Sequence, residues 1–360
     1  MVVAISVVIG MGIMIESFRT TVQLWAQQMI QGDIYVNTME NVSSTAETPL
    51  PYELVEQIVV LDGIEATKGL KTVFLVTDYG TLEVDVITPV EQCRTEYQLK
   101  TGNDIPAWES LKNGEAVYIS EPLAYKHNLS VGDAITFTTE QGKQEYGISG
   151  IYYDYSSDAG KIIMAKNVYT KYWHDDTIAS LGLYLEDSAD KDSIITAVKA
   201  IVADAAGITV TDSFTIRANV LDLFDRTFLI TRVLEFLAII VAFIGILSAL
   251  MAYQLEKIKE LGILRAAGVT PRQIWGMTGL QTGLMGAISG ILAIPLGIFM
   301  SIILIQTINI RSFGWSIQMS IGAWTIIEAL AIAIVASLLA SVYPSWKMSK
   351  TSPAEALREE

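Results

Sequence analysis

The chain has 360 residues, of which 51% are hydrophobic, a larger share than soluble proteins usually carry. A single cysteine excludes a disulfide scaffold. The net charge of −15 excludes a basic nucleic-acid-binding surface as a main theme. The charge is uneven, because 31 of the 39 acids and 13 of the 24 bases lie between Trp25 and Asp225. These values predict an acidic domain outside lipid, flanked by apolar segments within a membrane.

Four apolar stretches are candidates for membrane helices, which need roughly 17–25 residues to cross a bilayer. They are Met1–Ile15, Phe236–Ala252, one helix within Gln273–Ile310, and Ile321–Tyr343. We expect the third to be bent or interrupted at Pro295 and to end before Asn309. No Lys or Arg precedes the first stretch and no signal-peptide cleavage site follows it, so it is interpreted as an uncleaved anchor. Its missing basic flank leads us to expect either upstream sequence or the later half of a longer polypeptide.

The segment after the first stretch changes to short alternating runs that predict strands. The predicted strands are Asp33–Val36, Thr72–Val76, Leu82–Ile87, Ala116–Ile119, Ala134–Thr138, Tyr146–Tyr152, Ile162–Ala165 and Gly182–Leu185. Helices are predicted at Pro51–Val60, Glu121–His127 and Ser188–Ala206. The pattern is typical of an α+β domain of about 190 residues, with room for two lobes.

The predicted domain carries no pattern typical of a catalytic or metal site. His127 and His174 do not form a metal-ligand spacing with Cys93. The chain has no Gly-x-Ser-x-Gly nucleophile elbow and no phosphate-binding loop of the Gly-x4-Gly-Lys-Ser/Thr type. We therefore expect no enzyme activity, no metal and no ATP hydrolysis in this chain.

The connection between the second and third apolar stretches carries the clearest local signals. Leu255–Gly268 has the composition of a helix, and Gly268 is suited to end it. Thr270, Pro271 and Gln273 then match a capping box with proline at the first helical position. The two helices would meet at a stiff turn, so a displacement of the turn would be transmitted to both membrane spans. A charged, amphipathic connection could equally rest on the membrane surface.

Basic residues in short loops set the orientation, because Lys and Arg are retained on the cytoplasmic side. The connection contains Lys257, Lys259, Arg265 and Arg272, the tail contains Lys347, Lys350 and Arg358, and the last loop between spans contains only Arg311. The connection and the tail are therefore predicted to be cytoplasmic, and the acidic domain extracytoplasmic.

The third stretch carries glycines at alternating steps of three and four, which place them on one stripe of a helix. The stripe contains Gly276, Gly279, Gly283, Gly286, Gly290 and Gly297. Small residues allow membrane helices to approach closely. The stripe could pack against a helix of the same chain or against a helix of a second membrane unit, and the sequence supports both.

The resulting fold class is a membrane protein of four transmembrane helices with an α+β extracytoplasmic domain inserted between helices 1 and 2. The expected segments are helix 1 with a stalk at 1–31, the α+β domain at 32–221, a stalk with helix 2 at 222–253, the cytoplasmic connection at 254–275, helix 3 at 276–308, an outer loop at 309–320, helix 4 at 321–343 and a cytoplasmic tail at 344–360.

Several of these segments resemble the FtsX-like, or MacB-like, permeases of ABC transporters. The stretch Lys259–Ile274, with the sequence KELGILRAAGVTPRQI, closely resembles the signature of that family, and so does the ending from Tyr343 to Arg358. Tyr118–Ala124 and Leu129–Asp133 are similar to its extracytoplasmic (MacB-like periplasmic core) domain. Asp225–Phe228 and Arg311–Trp315 resemble a subgroup in which two units are fused, whose second unit this chain would match.

The resemblance implies a non-enzymatic permease subunit in the cytoplasmic (inner) membrane of a bacterium. A separate cytoplasmic ABC ATPase would bind ATP and Mg and dock on the connection. Its closure would be passed through the stalks, Ser17–Gln31 and Asp222–Glu235, to the outer domain by mechanotransmission. The implied ATPase contacts are Glu256, Lys257, Lys259, Glu260, Leu261, Gly262, Leu264, Arg265, Ala266, Gly268, Pro271 and Arg272.

The resemblance also implies a second permease unit, as a homodimer or a fused half, and leaves room for an extracytoplasmic adaptor. The implied function is export or extraction of a lipidic or peptide substrate. The alternative is a membrane relay that transports nothing and regulates an outer partner such as a cell-wall hydrolase.

Overall fold

A computed structural model describes residues 2–38, 48–227, 229–257, 260, 263–264 and 267–350. The chain divides into two compact units. One unit, here called the sheet domain, contains residues 21–224 together with 309–316. The other, here called the helical unit, contains residues 1–20, 225–308 and the described residues from 317 onward.

The secondary structure of the described residues alternates strands and helices in the sheet domain. The strands are β1 (Ile34–Thr38), β2 (Ile64–Thr77), β3 (Gly80–Ile87), β4 (Leu99–Thr101), β5 (Ala116–Ser120), β6 (Ala134–Thr139), β7 (Gly142–Tyr152), β8 (Lys161–Ala165), β9 (Ser180–Leu185) and β10 (Ile208–Asp212). The helices are α1 (Val2–Met29), α2 (Tyr52–Val59), α3 (Asp104–Lys112), α4 (Glu121–His127), α5 (Lys166–Trp173), α6 (Lys191–Ile201), α7 (Ser213–Thr227), α8 (Leu229–Glu256), α9 (Pro271–Ile303), α10 (Ile310–Phe313) and α11 (Ala323–Lys350).

The strands form one mixed sheet whose order is β10-β1-β9-β2-β3-β8-β5-β7-β4, with β6 paired to both β2 and β7. Because β6 links β2 to β7, the strands β2, β3, β8, β5, β7 and β6 form a closed ring. The closing contact is the pair Thr77 and Phe137. Alternate residues Leu82, Val84 and Val86 of β3 point into a common core, as the two-residue period of a strand requires.

A second lobe forms where β10, β1, β9 and the start of β2 are covered by α2 and α6. The period-two pattern buries Ile34 and Val36 of β1 at 0% exposure. The other fully or nearly buried side chains of this lobe are Leu50, Ile58, Ile178, Leu181, Leu183, Ile194, Val198 and Val202. The two lobes therefore have separate apolar cores, within one continuous sheet.

A buried ion pair lies within the sheet domain. Lys68 of β2 donates a hydrogen bond to the carboxylate of Glu96, and the hydroxyl of Tyr184 in β9 donates to the other carboxylate oxygen. The ammonium of Lys68 also lies 4.9 Å from the ring centroid of Tyr97. Burial raises the pKa of the neighbouring Cys93 thiol to about 11. At neutral pH this thiol stays protonated and therefore weakly nucleophilic.

The helical unit contains the apolar helices. Within the described residues, two helical stretches are long and apolar enough to cross a membrane, Val2–Met29 and Arg272–Phe313. Shorter apolar segments lie at Ile239–Ala249 in α8 and Ala323–Leu339 in α11. Their packing centres on Ile5, Ile9 and Ile13 of α1, Ala293 of α9, and Ala329, Ala333 and Ala336 of α11.

The predicted strands and helices all overlap observed ones, but six described elements of the sheet domain are absent from the prediction. These are β4, α3, α5, β10, the 3-10 helix Glu91–Glu96 and the single turn α10. Helix α5 contains Val168, Thr170 and three aromatic residues among its eight, a composition with weak helix propensity. Strand β10 is half-buried along its whole length, so it lacks the contrast between faces that marks a strand.

Of the two alternatives expected at Pro295, a bend or an interruption, the interruption is wrong. Helix α9 is not interrupted there but continues from Pro271 to Ile303, followed by a π-helical turn over Leu304–Asn309. Proline within a membrane helix is tolerated because neighbouring groups can satisfy the freed carbonyl. The expected count of four spans also exceeds the two stretches that are long and apolar enough, so it depends on the two shorter segments. Of the expected tail, residues 351–360 lie outside the described residues.

Candidate functional site

The connection between α8 and α9 ends its first helix at the predicted glycine. Gly268 has a φ of +97°, in the left-handed region that favours glycine. The backbone N–H of Val269 donates to the carbonyl of Leu264 over 3.1 Å, which is the 6→1 bond of a Schellman motif. The prediction that Gly268 terminates this helix is confirmed.

The second helix of the connection starts with the predicted cap. Helix α9 begins at Pro271, directly after the N-cap Thr270. The backbone N–H of Thr270 donates to Oε1 of Gln273 over 2.9 Å, which is the reciprocal bond of a capping box. Two helix ends are thus closed by hydrogen bonds on either side of Val269 and Thr270, the last two residues of the connection.

The described side chains of this connection are mostly exposed. Lys257 forms an ion pair with Glu260 at 2.7 Å, and their hydrogen bond raises the pKa of Lys257. Glu256 and Arg272 are exposed, and Leu264 is half-buried. Of the other predicted contact residues, Lys259, Leu261, Gly262, Arg265 and Ala266 lie outside the described residues.

The structure singles out one residue of this surface. Ile263 lies inside the stretch Lys259–Ile274 that resembles the family signature, and it is 58% exposed. An exposed branched aliphatic side chain among charged neighbours is the composition of the centre of a protein interface. The signal available in the sequence is its position between the charged residues Glu260 and Arg265.

The glycine stripe of α9 packs against α11 in its middle. A Cβ at position 286 would lie 2.2 Å from Oγ of Ser337, and one at position 290 would lie 2.8 Å from Cδ2 of Leu330. At Gly283 the nearest contact would be 3.4 Å, to Leu338. Gly286 and Gly290 are therefore the glycines of the stripe at which an added side chain would meet α11 most closely.

The two ends of the stripe differ. Near the C-terminal end of α9, a Cβ at Gly297 would lie 2.6 Å from Cβ of Ile9 in α1. At the other end, a Cβ at Gly276 or Gly279 would meet no described atom within 4 Å. The stripe thus serves packing inside the chain at Gly286, Gly290 and Gly297, whereas Gly276 and Gly279 have no close contact among the described residues.

These features define a class of protein. The helical unit is apolar, and it contains a capped helix-turn-helix connection and close-packed glycines. Two of its long helices, α1 and α8, come directly before and after the α+β domain in the sequence. Among the described residues, no group of three His, Cys, Asp or Glu side chains could hold a metal ion. The class is a membrane transport component of permease type.

Comparison with known proteins gives the family. The model of the MacB-like periplasmic core domain matches residues 1–201, and the model of the FtsX-like permease C-terminal domain matches residues 232–353. The chain belongs to the FtsX-like, MacB-like family of ABC transporter permeases. Members of this family are transporter components with a periplasmic domain.

Three curated relatives share parts of the sequence. The uncharacterized ABC transporter permease protein Rv0987 of Mycobacterium tuberculosis is 33% identical over 365 residues, covering 100% of this chain and 43% of the relative. The macrolide export ATP-binding/permease protein MacB of Bdellovibrio bacteriovorus is 28% identical over 34% of this chain and 18% of its own length. The lipoprotein-releasing system transmembrane protein LolC of Haemophilus influenzae is 27% identical over 34% of this chain and 32% of its own length. The chain thus matches less than half the length of each of these relatives.

Proposed function

We propose that the chain is the permease subunit of an ABC transporter that couples ATP hydrolysis by a separate cytoplasmic ATPase to export or extraction of a lipidic or peptide substrate. The observation that carries this proposal is the connection between α8 and α9. The Schellman bond at Gly268 and the capping bond at Thr270 close both sides of a two-residue turn. A displacement applied to this turn moves α9 together with the short helix that ends at Gly268, since little backbone freedom remains between them to absorb it.

The surface of the connection supports the docking of an ATPase. The exposed side chain of Ile263 would be an apolar anchor, and the Lys257–Glu260 pair and the exposed Arg272 would supply charged contacts on the same connection. Interfaces combine an apolar centre with a polar edge in this way. The ATP and Mg would be bound by the partner, and the bias of Lys and Arg assigns this surface to the cytoplasmic side.

The remaining parts of the proposal concern the membrane and the substrate. We infer four membrane spans in the cytoplasmic membrane of a bacterium, with α8 and α11 as the second and fourth. One relative is named for macrolide export and another for lipoprotein release, and a lipidic or peptide substrate taken at the outer side is our proposal for this chain. The open positions Gly276 and Gly279 support contact with a second permease unit.

The decisive experiment identifies proteins that co-purify with the chain. The tagged protein is purified from its native membrane in mild detergent and analysed by mass spectrometry, as wild type and as Ile263→Glu. The matched control is Ile105→Glu, which makes the same change at an equally exposed isoleucine, 64% exposed, in the sheet domain. We expect an ABC ATPase with the wild type and the control, and its loss from Ile263→Glu.

Two results would contradict the proposal. Recovery of the intact wild-type protein without any ATPase would refute the ATPase-coupled function. Retention of the ATPase by Ile263→Glu would place its docking surface elsewhere and remove the connection from the mechanism.

A further inference from the structure

A short loop far along the chain belongs to the sheet domain. Residues 309–316 lie between α9 and α11 in sequence, yet they are grouped with residues 21–224 in one compact unit. The loop includes the end of the π-helical turn at Asn309 and the single turn α10. Its contacts with the domain centre on the side chains of Glu121, Lys100 and Tyr155, which we call the loop socket.

The carboxylate of Glu121 is the main contact of the socket. Only 5% of its side chain is exposed. One oxygen accepts a hydrogen bond from the backbone N–H of Ser316 over 2.9 Å. The other accepts from the hydroxyl of Ser316 and from the ammonium of Lys100. A buried carboxylate is thus satisfied jointly by the domain's own lysine and by the loop.

Two further contacts hold the loop. The hydroxyl of Tyr155 donates to the backbone carbonyl of Ser316 over 2.7 Å, so both backbone groups of Ser316 are bound by domain side chains. The ring of Tyr155 lies 5.7 Å from the ring of Trp315 and 5.9 Å from the ring of Trp25. Phe313 stacks on Trp315 at 5.4 Å. An aromatic row therefore runs from the end of α1 through the socket into the loop.

The loop is also shaped to fit the socket. The side-chain amide of Asn309 donates to the carbonyl of Trp315 over 2.8 Å, closing the loop on itself. Gly314 has a φ of +79°, and a Cβ there would lie 3.1 Å from Cα of Pro122 in α4. Glycine is therefore required twice at this position, by its backbone conformation and by the close approach of α4.

We propose that the loop socket is a permanent joint that ties the connection between α9 and α11 to the sheet domain. Residues 21–224 have two covalent links to the helical unit, through α1 and through α7 and α8, and the socket adds a noncovalent contact with residues 309–316. Breaking the joint requires Glu121 to remain buried with one of its three hydrogen bonds, the one from Lys100, or to be rehydrated, while both backbone groups of Ser316 lose their partners. The functional part of this inference rests on the proposed function, because it makes α9 and α11 follow the sheet domain during transport.

Hydrogen exchange of the full-length chain in lipid nanodiscs tests the joint. The readout is the exchange rate of the peptide that contains Ser316, whose N–H is bound to Glu121. We expect this amide to exchange at least a hundredfold more slowly than in an unstructured chain. Glu121→Gln should raise the rate at least tenfold, and Tyr155→Phe should raise it by a smaller factor. The matched control is Glu115→Gln, an exposed carboxylate in the same region of the domain.

A second variant distinguishes loss of the joint from misfolding of the domain. Gly314→Ala lies on the loop and disturbs it through its φ and its contact with Pro122, while protection of β5 and β7 reports whether the domain is intact. Fast exchange of the wild-type loop, or unchanged protection in both Glu121→Gln and Gly314→Ala with an intact domain, would overturn the joint. The exchange result does not depend on any ATPase, so failure of the joint and failure of the proposed function are distinguishable.

The permanence of the joint is tested in the complex with the ATPase. Exchange of the Ser316 peptide is measured with and without ATP. Equal protection in both states is expected of a permanent joint. A tenfold loss of protection on addition of ATP would show that the loop leaves the socket during the cycle, and would overturn the proposal in its stated form.

Discussion

The ion pair of Lys68 and Glu96 lies in the interior of the sheet domain, with 11% and 0% of the side chains exposed. Glu96→Gln would leave the ammonium of Lys68 buried without a counter-charge, and removal of one partner of a buried pair costs about 3–5 kcal/mol. We expect a loss of unfolding free energy of that order and faster maleimide labelling of Cys93. Because Cys93 is the single cysteine, the mass of the intact chain reports this labelling directly.

Two further variants test whether the unpaired charge of Lys68, and not altered packing, causes the loss of stability. Glu65→Gln makes the same change at an exposed carboxylate of β2, which accepts a hydrogen bond from Gln92, and should leave the labelling rate of Cys93 unchanged. Adding Lys68→Met to Glu96→Gln removes the stranded charge, while the amide oxygen of Gln can still accept the hydrogen bond of Tyr184. The double variant should recover most of the lost stability. If it is as unstable as Glu96→Gln, the unpaired charge is not the cause.

At the scale of single elements, α9 offers two glycines with opposite surroundings. Gly286→Ala would place a methyl group 2.2 Å from Oγ of Ser337 and force α9 and α11 apart, at a cost of about 1–3 kcal/mol. Gly279→Ala meets no described atom within 4 Å and adds a better helix former, worth up to about 1 kcal/mol. Thermal unfolding of the full chain in detergent should show a lower midpoint for Gly286→Ala and an equal or higher one for Gly279→Ala.

The comparison of these two glycines includes its own control. Both variants make the same chemical change in the same helix, so a difference in propensity cannot separate them. Equal destabilisation by both would show that the contact with α11 does not depend on Gly286. If Gly279→Leu dissociated a dimer of the permease without lowering the midpoint of the monomer, the open part of the stripe would be the contact with the second unit.

Local elements could be predicted from the sequence, because their signals lie within a few residues. Gly268, Thr270, Pro271 and Gln273 carry their own stop and start signals, and the structure confirms both helix ends. The loop socket could not be predicted, since Glu121 and Ser316 are 195 residues apart. Each looks ordinary in its own segment, one as the first residue of a short helix and one as a polar residue between two spans.

The glycine stripe shows that long-range contacts cannot be predicted even for residues of one helix. Its steps of three and four residues identify one face of α9, and the structure shows close helix contacts along part of that face. The period cannot tell which glycines meet α11, which meet α1 and which remain open, because these contacts depend on where the other helices cross. Packing partners are a tertiary property, and Gly279 and Gly286 are identical in the pattern but not in their surroundings.

At the scale of the whole molecule, the proposed function requires the connection and the sheet domain to face opposite sides of the membrane. In a Cys93→Ser background, single cysteines at Glu140, Glu260 and Phe313 sample the β6–β7 turn, the connection and the loop, where all three native side chains are exposed. A membrane-impermeant maleimide applied to spheroplasts should label positions 140 and 313. Position 260 should be labelled only after the membrane is permeabilised.

Each pair of positions in this experiment tests one helix. Positions 140 and 260 are separated by α8, whose apolar segment Ile239–Ala249 is shorter than a usual span, and positions 260 and 313 are separated by α9. A cysteine added after residue 360 extends the test to α11 and should behave like position 260. Labelling of position 260 on intact spheroplasts would show that α8 does not cross. The connection would then lie outside, where no cytoplasmic ATPase could reach it, and the coupling proposed here would be physically impossible.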